Sequence, residues 1–268
     1  MRLIVFLLIP LTALSQCLPS NHPVEAGEEI SYEVSYNWGP IWVDTGIVTF
    51  KVTLEQKKEV PAWHLVSTGR TYRSYDLFFK VRDTYDSWID TATFRTLEFR
   101  RYIYEGGYQL QNTSWFDYNR RIVFSNTKRN DDPLAVDTLK MKDCTFDMLS
   151  SVYFVRSLDI SSMPLNKKMP VFIAIDDSVF RIDIRYLGKE MIEHPEGVWN
   201  HCLKMSASMV EGTIFRKGQE AYVWVSDDLN KIPVYMEASI LVGSVKAYLK
   251  EAKGLRYPRS AVSSEKIR

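Results

Sequence analysis

The sequence predicts a mainly β protein: a large curved antiparallel sheet or sheets, half-barrel, barrel-like or sandwich, with one principal α-helix inserted midway. Three observations predict it. Segments alternating apolar and polar residues recur from Glu29 to Leu249, the period-two pattern of strands with one buried face. Short turn signals such as Gly106-Gly107, Asn119-Arg120 and Asp227-Asp228-Leu229-Asn230 separate them; such turns join antiparallel neighbours, because parallel strands need long crossovers. The spacing changes to three and four convincingly once, at Phe146, Leu149, Val152 and Tyr153. A dozen or more strands curl into a barrel-like or sandwich arrangement rather than lie flat.

In order, strands are predicted over 30–36, 46–54, 63–71, 78–89, 95–104, 108–116 and 122–126. Residues 128–143 are polar and contain the turn cluster Asn130-Asp131-Asp132-Pro133, so they read as a connecting loop. A helix is expected from Phe146 to Ser157, with Thr145 as N-cap, Asp147 in the first turn and Arg156 in the last. Strands resume over 170–175, 179–187, 191–192 and 198–207. A three-stranded closing unit follows, built on Tyr222–Ser226, Ile232–Ala238 and Val245–Leu249. One β-rich domain over 27–255 is expected, with 256–268 a flexible polar tail.

The first residues read as an export signal. Arg2 precedes an apolar run from Leu3 to Leu14, and Ala13-Leu14-Ser15 has small residues where a signal peptidase cuts. Residues 1–15 are therefore expected to be removed, leaving a chain that starts at Gln16 and resides in the periplasm. Leu14-Ser15-Gln16-Cys17 also resembles a lipobox. Lipidation at Cys17 is the alternative, disfavoured by Gln16 where such motifs carry a small residue. No later stretch approaches the roughly 20 apolar residues of a membrane span, so no transmembrane segment is expected in the mature chain. The 268 residues carry 34 Lys+Arg and 33 Asp+Glu, which leaves no global field to steer nucleic acid. Cys144 and Cys202 lie in a compartment that could oxidise them; two free buried thiols are the expected state, and a disulfide between them is left open.

No catalytic signature is found: there is no H-E-x-x-H, G-x-S-x-G, P-loop or G-x-G-x-x-G. His194 and His201 flank a turn but lack a third ligand, so no metal or other cofactor is expected. The pairs Asp131-Asp132, Asp176-Asp177 and Asp227-Asp228 fall where strands must turn, and turn chemistry accounts for them. Asp227-Asp228 beside Trp224 is the pair to test for calcium or a sugar. Arg156 is expected to reach a carboxylate such as Asp83 across the sheet and lock the helix down. The apolar stripe of Phe146, Leu149, Val152 and Tyr153 either fills the core or lines a pocket with Phe78, Tyr85 and Trp224.

Four stretches resemble the exported bacterial family named domain of unknown function 3108, in a Bacteroidota-type version. They are Gly27-Glu28-Glu29-Ile30-Ser31-Tyr32, Phe78-Phe79-Lys80-Val81-Arg82-Asp83-Thr84-Tyr85, the helix Asp147 to Arg156, and Trp224-Val225-Ser226-Asp227-Asp228 with Ile232-Pro233 and Val242-Gly243-Ser244. The resemblance implies a β-rich envelope protein and carries no assigned activity. Two readings follow: a non-catalytic binding or structural protein that holds a lipid-like, hydrophobic or amphipathic ligand or contacts envelope proteins, and an envelope hydrolase or glycan-active enzyme using carboxylates.

Overall fold

The structure, a computed structural model, describes residues 19, 22–38, 41–194, 197–209, 218–240 and 243–263. Its strands are β1 (Glu29–Trp38), β2 (Ile41–Lys57), β3 (Val60–Thr71), β4 (Arg82–Asp90), β5 (Thr96–Glu105), β6 (Tyr108–Asp117), β7 (Ile122–Arg129), β8 (Ala135–Lys140), β9 (Thr145–Phe146), β10 (Met169–Ile175), β11 (Ser178–Glu193), β12 (Trp199–Ser208), β13 (Glu220–Ser226), β14 (Pro233–Ser239), β15 (Ser244–Lys253) and β16 (Val262–Ser263). A single helix, α1 (Met148–Arg156), and a 3-10 turn at Ile160–Ser162 complete the described elements.

All strands belong to one sheet in the order β8-β7-β6-β5-β4-β3-β2-β1-β15-β14-β13-β12-β11-β10-β9, with β16 beside β12. Every neighbour is antiparallel except β9 with β10. First and last strands are brought together by pairing β1 with β15, and right-handed twist rolls the sheet until β8 meets β11. No ladder closes that seam. Side chains do: Arg101 and Arg129 on β5 and β7 reach Asp176 in the β10–β11 turn, and Val123, Leu139 and Met141 pack on Ala174.

Several expectations are corrected. Ala135–Lys140, inside the predicted loop, is a strand because its backbone pairs with β7 from Ile122 to Thr127. The predicted strands 179–187 and 191–192 are one strand with a bulge at Gly188, a residue at φ +119° where a side chain would strain the backbone. Phe78 is in a turn ahead of β4, not in the strand. The tail is pinned as far as Ser263: Asn230 donates to the Tyr257 carbonyl at 2.8 Å and accepts from its N–H at 3.0 Å, and β16 pairs with Trp199 and Asn200. Residues 264–268 and the export segment with Cys17 lie outside the described residues. Cys202 is a buried free thiol, so it does not bridge to Cys144; Cys144 itself is disulfide-bonded, so the expectation of two free thiols holds at Cys202 alone.

The helix starts two residues later than predicted and is capped by Asp147, not Thr145. The Asp147 carboxylate accepts from the N–H groups of Leu149 (2.8 Å) and Ser150 (3.0 Å), and the Ser150 hydroxyl accepts from the Asp147 N–H. This is a capping box with serine in the acid's usual place. Thr145 is committed to β9, and its hydroxyl bonds Lys142 instead. α1 crosses one end of the barrel, from Ser87 and Thr96, which donate to Asp147 at 2.7 and 2.9 Å, to Glu28 ahead of β1. Leu149, Tyr153 and Phe154 join Trp63, Leu65, Ile89, Phe99, Ile182, Leu203 and Val225 in one core.

Candidate functional site

Three parts of the interior decide what this fold can do: the plug, the half of the barrel beyond it, and the charges between them. The plug is held by a buried ion pair. Arg156 donates to both Glu28 oxygens at 2.7 and 2.8 Å and to the Asn230 carbonyl at 3.2 Å. Its guanidinium lies 4.9 Å from the Tyr153 ring, and both charged side chains are almost fully buried. Asp83 is therefore not its partner: that residue starts β4 at the opposite end, whereas Glu28 lies beside the helix terminus. The backbone sets Glu28 there, with Gly27 donating to Val52 and Glu28 accepting from it. Gly254 approaches so closely that a Cβ would lie 2.1 Å from the Gly27 carbonyl, so only glycine fits. A helix arginine facing a core must find a buried acid; which acid it finds is set by the fold.

Beyond the plug the inner wall is lined by small residues. Cross-strand pairing aligns Ala207, Ala221 and Ala238, then Met236 with Ala247, Ala247 with Val34, Val34 with Gly46 and Val48 with Gly69. Except for Gly46 these positions are half-buried although they face the barrel interior. Among the described residues no helix fills this half. We call this half of the interior, opposite α1, the cup.

The third part is a charged group on the β4–β5–β7 wall. Asp83 accepts from the Tyr104 N–H at 3.1 Å. Burial pushes its pKa up to about 7; neighbouring Glu105 adds to the rise, while the Tyr104 N–H and Arg101 oppose it. Arg101 bonds Asp176 and contacts the Met148 sulfur at 3.9 Å, and its buried Nε has no partner. Tyr85 lies among these charges, its hydroxyl pKa raised by burial and then by Asp83. Because Asp83 is more protonated in the folded state than in the unfolded chain, the stability it contributes is present below about pH 4 and is lost as pH rises through about 7. Asp83→Asn should therefore gain stability relative to the native chain over that window, and Tm measured from pH 4 to 8 checks it. A difference that shrinks with rising pH would contradict the assignment.

Of the residues expected to share a pocket, Phe146, Leu149, Tyr153 and Tyr85 meet in the principal core, whereas Phe78, Val152 and Trp224 lie away from it. Phe146, Leu149 and Tyr153 are core residues, Val152 points away from the core at 37% exposure, and Phe78 is 79% exposed. Phe146 belongs to β9 rather than the helix. Trp224 faces outward, since Val223 and Val225 face in; it packs on Tyr235 and Cys202 and donates to Glu190 at 2.6 Å. Tyr85 packs against that core from β4. Asp228 is a turn residue as expected, accepting from Ser226, Asn230 and Lys231, and Asp227 pairs with Lys189. Asp176 combines a turn with the seam, a role the turn reading missed. His64 is a packing residue of its strand, and both ring nitrogens meet carboxylates, Glu55 at 2.8 Å and Asp86 at 2.7 Å. Its ring stacks on Trp88. Burial alone would lower its pKa, but these two hydrogen bonds hold it above the ordinary value. It faces outward with Trp88, away from the cup. Among the described residues no group of three or more His, Cys, Asp or Glu could hold a metal, and no helix is long and apolar enough to cross a membrane.

Fold and interior together define a class: barrel-like β proteins with one end plugged by a helix. Among solved structures, the chain is similar to a beta-barrel-like protein of domain of unknown function DUF1849 from Brucella abortus, with TM-score 0.57 and 8% identity over 88% of this chain and 100% of that one. At that identity the likeness shows the fold alone. No curated protein matches. The pattern of the family described as "Protein of unknown function (DUF3108)" matches residues 31–250, and the chain belongs to this family.

Proposed function

We propose that this protein is a non-catalytic binding protein of the cell envelope, and that the cup opposite α1 holds a small amphipathic molecule. The observation that carries the reading is the half-buried inner wall of Val34, Val48, Val223, Met236 and Ala247. Inward-facing apolar groups left partly accessible, with a few polar anchors such as Arg101 and Tyr85 alongside, are the composition of a small-molecule site. The wall's small residues, not the helix stripe, make the room.

Filling the cup tests this. Ala221 faces Ala207 and Ala238 across the upper wall, so Ala221→Trp should occupy the space while leaving the core untouched. Anilinonaphthalene sulfonate should bind the native protein saturably, and its affinity should fall about tenfold or more in the variant, the loss of roughly one buried aromatic contact area. Equal binding by both proteins would refute the cup as a site.

A second reading rests on Asp83. A carboxyl group held near pH 7 beside Glu105 has the poise of a general acid or base, as an envelope hydrolase would need. Asp83 is only 9% exposed and its oxygen is engaged by Tyr104, which favours the binding reading. The envelope location itself rests on Arg2, the apolar run to Leu14 and Ala13-Leu14-Ser15. Mass analysis of protein from its own cells is expected to find a chain beginning at Gln16; an acylated Cys17 would replace the free periplasmic form with a membrane-tethered one.

A further inference from the structure

The loop between β3 and β4 exposes more apolar surface than its surroundings explain. Leu77 is 88% exposed, Phe78 79% and Phe79 46%. The loop is nonetheless built. The Tyr72 carbonyl accepts from Tyr75 and Asp76, and the Tyr75 carbonyl from Phe78 and Phe79. The Phe79 ring seats against Gly106 in the β5–β6 hairpin, where a Cβ would come within 2.3 Å of it. Consecutive apolar side chains held outward on an ordered turn mark a contact surface.

Cations flank this tip. Arg73 and Lys80 are exposed on either side of it. The acid between them, Asp76, is engaged by Arg82 at 2.6 Å and Thr71 at 2.5 Å; the Arg82 hydrogen bond holds its carboxyl below the usual range. Lys80 lies over the Tyr104 ring. At the same end of the barrel, Ile41, Trp42 and Val43 open β2 with 39–64% exposure, and Lys246 sits 4.1 Å over Trp42. Apolar tips ringed by aromatic groups and ammonium or guanidinium heads match the boundary between acyl chains and anionic headgroups.

We propose that this end of the barrel docks on an anionic lipid bilayer, with Leu77 and Phe78 entering the acyl boundary and Arg73 and Lys80 meeting headgroup phosphates. The surface lies at the end of the barrel opposite α1, and docking does not depend on what the cup holds. Two inserted side chains and two cations make the contact shallow and reversible.

The test is sedimentation of the full chain with phosphatidylglycerol/phosphatidylethanolamine vesicles and with phosphatidylcholine vesicles. The N-terminal segment is present in every variant, so differences report the tip. Anionic vesicles should bind the native chain about tenfold more tightly than neutral ones, and Arg73→Glu/Lys80→Glu should erase that preference. Leu77→Ser/Phe78→Ser should weaken binding to anionic vesicles about tenfold. In Phe78→Trp, the new tryptophan's emission should shift to the blue on anionic vesicles. Equal sedimentation of native and Leu77→Ser/Phe78→Ser chains, no preference for anionic lipid, or an unshifted Phe78→Trp spectrum would each overturn docking. A protein partner that binds the tip in place of vesicles would give that last result. Probe binding in the cup should be unchanged in all tip variants, which keeps failure of the cup separate from failure of docking.

Discussion

Arg156→Met should destabilise the protein by about 3–5 kcal/mol, because it leaves the Glu28 carboxylate buried without its counter-charge. Both Glu28 oxygens are hydrogen-bonded to the guanidinium and its side chain has no exposure. Burial disfavours the charged form of Arg156, yet hydrogen bonds and attraction to Glu28 overcome this and raise its pKa further. The pair joins the helix end to the residue before β1, 128 positions away in sequence, so it ties the plug to the strand where the sheet's two halves meet. Glu28→Leu with Arg156→Met should recover most of the loss, since a buried ion pair replaced by apolar groups of similar size is often neutral. Urea unfolding of native, single and double variants checks both parts. A single variant within 1 kcal/mol of native would show that Glu28 finds other compensation.

Leu149→Ala is expected to cost about 2–5 kcal/mol, the range for removing a large aliphatic side chain from a packed interior. Leu149 is 4% exposed within the principal core, on the turn of α1 between Phe146 and Tyr153. Phe146 and Phe154 stack beside it with centroids 4.4 Å apart, leaving little freedom for the site to collapse. Anilinonaphthalene sulfonate affinity should not change, because the cup lies on the far side of the plug. A small stability loss joined to altered probe binding would instead make the helix stripe part of the ligand site.

Much of the strand pattern was legible because alternation is a local property. His64, Val66 and Thr68 against Leu65 and Ser67 declare a strand without any knowledge of its neighbours. Ala135–Lys140 was hidden by its polar setting: it is an edge strand, half wet, and only its ladder with β7 identifies it. Trp224 shows the limit of alternation. Its period is plain, but which phase faces inward depends on the curvature of the whole sheet, and the curvature puts Trp224 outside.

The candidate site was less legible than the fold. Arg156 and Asp147 could be picked out as charges at the two ends of the helix, because such charges have local consequences; that Asp147 rather than Thr145 is the cap was not legible. Glu28 could not be matched to Arg156, nor Asp176 to Arg101, since each pair is joined by closure of the sheet rather than by nearness in sequence. The cup is likewise walled by alanines, valines, glycines and one methionine, residues that announce nothing individually.

By itself the sequence determined the strand periodicity, the one helix, the turns at the aspartate pairs and the membership of the family, all properties of segments of about ten to fifteen residues. Tertiary structure alone decided which face is interior, that the helix fills one end as core, and that small side chains line the other half of the interior. The reason is that burial and ion pairing are set by what lies across the barrel. In a sheet whose halves are joined by pairing β1 with β15 and which rolls until β8 meets β11, what lies across is remote in the chain.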